Sequence, residues 1–217
     1  MQPVFPPAAN LVAVLGMLGI AGLAVGGAGW WFLWPRTDYR RHRDWVVEQP
    51  VPFSHQHHVA GLGIDCRFCH ATVETAADAG MPPTYTCMTC HSQVWTNAAM
   101  LEPVRRSLAD DRPLQWHRVT DLPDYVYFNH GIHIAKGVGC AECHGDVADM
   151  PLLRKVATMT MQFCLDCHRD PAPRLRPADA IFDTKWRRGP KTPSPATLLD
   201  RSHIGGRSLT DCSICHR

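Results

Sequence analysis

Long periodic segments are scarce in this sequence after residue 45, where neither the 3.6-residue period of a helix nor the alternation of a strand persists. Proline and glycine interrupt the pattern, with 18 and 16 copies among the 217 residues. These shortages exclude a large core built from apolar side chains alone. Something other than side chains therefore has to fill much of the interior beyond residue 45.

Cysteine is absent outside one repeated pattern, Cys-x-x-Cys-His, and five copies of it use all 10 cysteines. The pattern is the attachment signature of c-type haem. Its two thiols add to the haem vinyl groups, and the histidine becomes the proximal iron ligand. We number the five sites in chain order. The predicted attachment residues are Cys66, Cys69, Cys87, Cys90, Cys140, Cys143, Cys164, Cys167, Cys212 and Cys215, and the predicted proximal ligands are His70, His91, His144, His168 and His216.

Zinc sites and disulfides are the alternatives for cysteines at this spacing. Zinc does not need a histidine directly after the second cysteine, and a disulfide scaffold explains the histidines no better. With 13 His in 217 residues, five such coincidences are expected by chance on the order of once in a million. The sequence therefore predicts five covalently bound haem c groups, which would supply the missing core.

Ionisable side chains are missing from residues 10–34, a run longer than the ~20 residues that span hydrocarbon as a helix. Trp30, Trp31 and Trp34 at its end suit a membrane interface. A cleaved signal peptide has a shorter apolar region and a basic start, so we expect a retained single-pass anchor over 10–35. Glycines three and four residues apart line one helix face and favour docking against partner membrane helices: Gly19, Gly22, Gly26 and Gly29.

Two signals disagree about the side of the membrane on which the remaining chain lies. Covalent haem attachment takes place outside the cytoplasm, which indicates the periplasmic side of a bacterial inner (cytoplasmic) membrane. The second signal is a cluster of arginines after the anchor, which is a statistical bias that partner subunits can override. We therefore give haem attachment more weight and expect this basic flank to contact lipid phosphates or a partner. Arginines after the anchor favour the cytoplasm by the positive-inside rule: Arg36, Arg40, Arg41 and Arg43.

Four of the remaining histidines belong to a repeated motif, Phe-x-His-x-x-His, which starts at Phe53 and again at Phe128. A spacing of three places both histidines of each copy on one helical face. Each copy precedes two haem sites, and short and long gaps alternate between sites, which indicates an internal duplication plus one added site. We predict His55, His58, His130 and His133 as distal iron ligands and His203 as the fifth, with His117, Met81 and Met161 competing for that last position.

The predicted fold class is mainly α with much irregular structure. An N-terminal single transmembrane helix precedes a multihaem cytochrome c domain organised around five stacked haems. We expect a helix over Val94–Leu108, extended chain over Leu114–Tyr127 and an irregular surface arm over Pro171–Pro195. The predicted segments are a tail (1–9), the anchor (10–35), a juxtamembrane linker (36–52), a first haem module with connector (53–127), a second haem module (128–170) and an arm with the fifth site (171–217).

The paired histidines ahead of haem sites resemble those of class III and related low-potential multihaem cytochromes. In that family the two histidines of a pair ligate different haems, and the first usually serves the next site in sequence. The resemblance therefore implies that His55 serves the first site and His130 the third. His58 and His133 would reach across to other haems.

The chain as a whole resembles the pentahaem subunit of bacterial alternative complex III. The resemblance is carried by one N-terminal helix, five sites in this order, and the stretches 80–87 and 122–130. It implies an electron-transfer subunit of a quinol-oxidising respiratory or photosynthetic complex. The expected partners are integral membrane quinol-binding subunits, an iron–sulfur subunit related to molybdopterin enzymes and a monohaem cytochrome c, with electrons leaving toward a soluble carrier or an oxidase.

No catalytic residue is predicted, because a full set of distal ligands leaves no iron position for a substrate. One alternative is a stand-alone membrane quinol dehydrogenase that feeds a periplasmic reductase. Another is a nitrite or hydroxylamine enzyme, which is disfavoured because all five motifs end in histidine. Nucleic acid is not an expected partner, because each haem with its propionates adds about one negative charge to the formal +2. Lysine is also sparse, at Lys136, Lys155, Lys185 and Lys191.

Overall fold

The computed structural model describes residue 6 and residues 8–205 and 208–216, so most of the predicted tail over 1–9 lies outside the described residues. The chain divides into two compact units, Met1–Arg43 and Asp44–Arg217. Its helices are α1 (Ala8–Leu33), α2 (Cys66–Cys69), α3 (Thr84–His91), α4 (Glu102–Ala109), α5 (His130–Ala135), α6 (Ala141–His144), α7 (Met161–Arg169), α8 (Pro195–Arg201) and α9 (Cys212–Cys215), with a π-helix over Gln56–Gly61.

The first unit is built on α1, whose 26 residues are followed by a 3-10 turn at Trp34–Arg36. None of its residues is buried, and the apolar span Ala8–Arg36 is long enough to cross a membrane. Near its end the rings of Trp30 and Trp34 stack with their centres 4.6 Å apart. The helix agrees with the predicted anchor and begins two residues earlier.

The second unit is mainly helical, and within the described residues its extended segments meet only at isolated bridges. Short polar side chains accept a hydrogen bond from the first turn of most of its helices, which ends the preceding loop at a defined residue. Asp65 caps α2, Asn129 caps α5, Thr160 caps α7, Ser194 caps α8 and Asp211 caps α9.

The side-chain core of the second unit is small, as the sequence predicts, and includes two clusters of buried residues. Val51, Leu101 and Val104 form the second-site cluster, against which Cys87 and Trp116 pack. The first–third cluster is formed by Val73, Ile134 and Ile181, with Cys140 and Phe182 packed against it. Each cluster thus lies beside an attachment cysteine.

The expected helix over Val94–Leu108 begins later than predicted. A 3-10 turn at Ala99–Leu101 leads into α4, whereas Trp95 has a backbone φ of 55° that a continuous helix does not allow. The segment Leu114–Tyr127 is non-helical, and Val126 forms an isolated bridge with His216.

The prediction of an irregular surface arm over Pro171–Pro195 is wrong for its central part. Leu175 is fully buried, Arg176 is 5% exposed, and Ile181 belongs to the first–third cluster. Arg176 N donates to Gly137 O at 2.8 Å, and Cys140 N donates to Ile181 O at 3.2 Å. These contacts join residues about forty positions apart in the chain, so local composition carries no sign of them.

Candidate haem sites

Each Cys-x-x-Cys-His unit coincides with one of five short helices, α2, α3, α6, α7 and α9, with Cys140, His70 and His216 as the flanking cap residues of α6, α2 and α9, respectively. The last histidine closes a turn back to the first cysteine, as in the bond from His70 N to Cys66 O at 2.8 Å. All ten thiols are unpaired, and among the described residues no three of the side chains that bind metals converge on one ion. This arrangement offers each macrocycle two thiols and one imidazole, as c-type attachment requires.

Three predicted distal histidines lie opposite three predicted proximal histidines. Two metal–imidazole bonds of about 2 Å, plus roughly 1 Å from each nitrogen to its ring centre, put two ring centres about 6 Å apart across one metal. The observed distances fit an iron between the rings. They are 6.2 Å for His58 and His91, 6.4 Å for His130 and His144, and 6.1 Å for His133 and His168.

The ring-nitrogen hydrogen bonds leave the other nitrogen of these imidazoles free for a metal. A carbonyl oxygen only accepts, so Nδ1 carries the proton and Nε2 keeps its lone pair. Seven of the predicted ligands show this bond. The acceptors are Ser54 O for His58 (2.8 Å), Gly80 O for His70 (2.7 Å), Val94 O for His91 (3.0 Å), Ala77 O for His130 (2.8 Å), Asn129 O for His133 (2.7 Å), Leu209 O for His168 (2.9 Å) and Tyr125 O for His216 (3.3 Å).

Burial keeps the inner imidazoles neutral, which is the form that binds a metal. It lowers the pKa of His144 to about 4, and neighbouring His130 and His70 add to the effect. Burial also lowers the pKa of His55 to about 4, with His70 and then His58 adding to it. His55 therefore lies near His70 of the first site, which its predicted role requires.

The two phenylalanines that open the repeated motif position the distal histidines in the same way. Phe53 stacks on His58 at 4.3 Å and meets His55 edge-on at 4.9 Å. The same geometry in both copies agrees with the internal duplication indicated by the sequence. In the second copy, Phe128 stacks on His133 at 4.4 Å and meets His130 edge-on at 4.7 Å.

The fifth site differs from the others, because the ring next to His216 is that of Tyr125, at 5.9 Å. His203 is exposed and has a backbone φ of 49°. The competitor His117 donates from Nδ1 to Glu48 O at 2.7 Å, and its neighbour Trp116 packs on the second-site cluster. The assignment of His203 as the fifth distal ligand stays a prediction.

Sequence reasoning missed several residues that shape these sites. Glu142, inside the third motif, pairs with buried Arg176 at 2.9 Å. Gly139 leaves space for that arginine, since a Cβ there would lie 2.5 Å from Arg176 Nε. Two of the five Cys-x-x-Cys pairs enclose an acidic residue, Glu142 and Asp166, and nothing local in the sequence identifies the partner of either.

Comparison with known proteins gives two matches. Residues 126–217 match the family described as cytochrome c7 and related cytochrome c. Over 203 residues the chain is 32% identical to the menaquinone reductase multiheme cytochrome c subunit of Nitratidesulfovibrio vulgaris, a match that covers 90% of this chain and 87% of that protein. Both matches support covalently bound haem c and electron transfer.

Proposed function

Because the chain belongs to the multihaem cytochrome c family, we propose that it is a membrane-anchored electron-relay subunit of a quinone-linked oxidoreductase complex and binds five haem c groups. Haem supplies reversible one-electron chemistry at iron, and its axial ligands set the potential. This chain's cysteines would hold each macrocycle, and its imidazoles would occupy the axial positions and exclude substrate. Quinone chemistry would then belong to partner subunits.

The three imidazole pairs, 6.1 to 6.4 Å apart, carry this proposal. They coincide with three of the five attachment motifs on a chain whose resemblance to a reductase subunit covers nearly its full length. Attachment of haem outside the cytoplasm would place the second unit on the periplasmic side of the inner membrane, with α1 as its single-pass anchor.

Two directions of electron flow are candidates, and each has its own support. The resemblance to alternative complex III favours quinol oxidation. It would provide integral quinol-binding subunits, an iron–sulfur subunit and a monohaem cytochrome c as partners, with a soluble carrier as acceptor. The name of the relative, menaquinone reductase, favours the opposite flow, toward quinone.

Rapid mixing of the purified complex distinguishes the two directions. Haem reduction by a menaquinol analogue, followed by reoxidation by a soluble cytochrome, supports quinol oxidation. Reoxidation of pre-reduced haems by menaquinone, with turnover sustained by a reduced carrier, supports quinone reduction. A complex that exchanges electrons with neither quinol nor quinone contradicts both.

We expect five covalent haem groups per chain and co-purification of the chain with membrane subunits without crosslinking. Intact-mass measurement and the pyridine haemochrome spectrum, normalised to protein, give the count. The control variant Cys212→Ala/Cys215→Ala should carry four. Fewer than five groups on the unmodified chain contradicts the haem assignment, and quinol oxidation by the isolated monomer contradicts the subunit assignment.

Replacing His203 with alanine is expected to create one carbon monoxide binding site per chain, because it would open the distal position of the fifth iron. The difference spectrum of the reduced protein measures this uptake. His117→Ala is the matched control, since His117 Nδ1 donates to Glu48 O and its neighbour Trp116 packs on the second-site cluster, and this variant should bind no carbon monoxide. If His203→Ala takes up no more than the unmodified protein, His203 is not the fifth ligand.

A further inference from the structure

We infer that the five sites form a row in the spatial order second, first, third, fourth, fifth, and that electrons enter and leave the chain at the second and fifth sites. The inference rests on the proposed relay function and deepens it. One-electron transfer between haems becomes much slower as their separation grows. The order in which the sites neighbour one another in space therefore determines the electron path, whatever their order in the sequence.

The first and second sites are joined by one turn of chain. His55 and His58 are three residues apart and share contacts with Phe53. His58 lies opposite His91 of the second site. His70 Nδ1 of the first site donates to Gly80 O at 2.7 Å, four residues before Thr84, where the second-site helix α3 begins. A turn of helix is only about 5.4 Å long, so the two macrocycles that it serves have to be neighbours.

The first and third sites share backbone and core contacts. Gly131 N, between the two histidines of the second pair, donates to Ala76 O at 3.0 Å, six residues after His70. Cys140 N donates to Ile181 O at 3.2 Å, and Cys66 Sγ lies 4.0 Å from Phe182 O. The first–third cluster fills the space between these segments. The third site therefore follows the first in space.

The third and fourth sites are joined in the same way as the first two. His130 and His133 are three residues apart on α5, and they lie opposite His144 and His168, respectively. These two sites are therefore adjacent.

The fourth and fifth sites meet through the chain that enters α9. His168 Nδ1 donates to Leu209 O at 2.9 Å, three residues before Cys212. Tyr127 N donates to Cys215 O at 2.8 Å, directly before the phenylalanine that packs on His133. Both contacts attach the fifth site to the fourth.

Thiol exposure identifies the two ends of the row. Cys90 of the second site and Cys212 of the fifth are exposed, whereas the other eight cysteines are partly buried. The ends of a packed row lack a neighbour on one side, so they are the points at which a donor or an acceptor can approach most closely.

A matched pair of variants on one turn tests this order. Methionine as a distal ligand raises the potential of its own haem. That haem is then reduced before its neighbours, and its added electron lowers their potentials by charge repulsion. His55→Met should move three midpoints, those of the first, second and third sites, whereas His58→Met should move only those of the second and first. Redox titration followed by NMR of the haem methyl groups gives the count, and Gln56→Met, on the same turn, should move none.

The opposite result would be two midpoints moved by His55→Met and three by His58→Met. It is expected if the sites follow one another in space in their sequence order, and it would overturn the inference. If either variant fails to fold, Cys66→Ala/Cys69→Ala should shift two of the remaining midpoints and Cys87→Ala/Cys90→Ala only one. If the expected numbers of midpoints move but the complex does not exchange electrons with quinone or quinol, the proposed function is contradicted and the spatial order is not. If other numbers of midpoints move in an active complex, the spatial order is contradicted and the proposed function is not.

Discussion

Replacing Glu142 with alanine is expected to reduce the free energy of unfolding by about 3–5 kcal/mol, because it leaves a buried guanidinium without its carboxylate. The Arg176 side chain is 4% exposed, and its Nη2 donates to Glu142 Oε1 at 2.9 Å. Arg176 Nη1 donates to Asp183 O at 2.8 Å and its backbone N to Gly137 O at 2.8 Å. These bonds prevent the arginine from turning out to water once its partner is lost.

The same variant should reduce haem occupancy at the third site, because Glu142 lies between its two attachment cysteines. Glu102→Ala is the matched control, since Glu102 also pairs with two arginines, Arg105 at 2.8 Å and Arg106 at 3.3 Å, but is 49% exposed. An exposed pair of this kind contributes about 0–1 kcal/mol. Thermal unfolding of the haem-loaded variants measures the loss of unfolding free energy in each, and the pyridine haemochrome spectrum measures haem occupancy. Equal losses of unfolding free energy in the two variants would show that burial of Arg176 is not what makes Glu142 important.

Replacing Gly131 with alanine is expected to cost about 1–3 kcal/mol and to disturb the third and fourth sites together. A Cβ there would lie 3.0 Å from Glu74 O and 3.2 Å from Thr75 C. Both are backbone atoms, which cannot rotate away as a side chain can. Helix α5 would have to move, and its two predicted iron ligands, His130 and His133, would move with it.

Electron paramagnetic resonance of the oxidised Gly131→Ala variant should show high-spin iron at two sites, because a displaced imidazole no longer completes the axial pair. Gly61→Ala is the control. Its added Cβ would meet only Gln56 O, at an ordinary 3.5 Å, at the end of the π-helix that carries His58. An unchanged spectrum for Gly131→Ala would show that α5 is not held against residues 74–76 in the loaded protein.

Much of the candidate site follows from local sequence. The spacing Cys-x-x-Cys-His spans one turn, so the helices α2, α3, α6, α7 and α9 and the side chains that they present can be predicted from residues four apart. The anchor likewise depends on an uninterrupted apolar run, and α1 agrees with it. The multihaem class was also predicted, and the match to a multiheme cytochrome c subunit confirms it. Haem count and ligand roles stay predictions.

The path between sites could not be predicted in this way. The segment predicted as a surface arm shows why. Its buried residues Arg176 and Ile181 are bonded to Gly137 and Cys140, and Leu175 forms a bridge with Val138, all far away in the chain. Composition identifies the segment as polar and irregular, and only its long-range backbone partners make it part of the interior.

The sequence by itself predicts the attachment cysteines and proximal histidine of each site, since these residues lie within one turn. The carbonyls that accept from the ring nitrogens of His130, His168 and His216 lie 41 to 91 residues away in the chain. Only the tertiary structure places His58 opposite His91 and His133 opposite His168, and only it carries the inferred order of the sites. The inferred order depends on contacts between residues far apart in the chain, such as Cys66 with Phe182, 116 residues apart, and Tyr127 with Cys215, 88 residues apart. No local spacing encodes such contacts, because they exist only once the chain has packed.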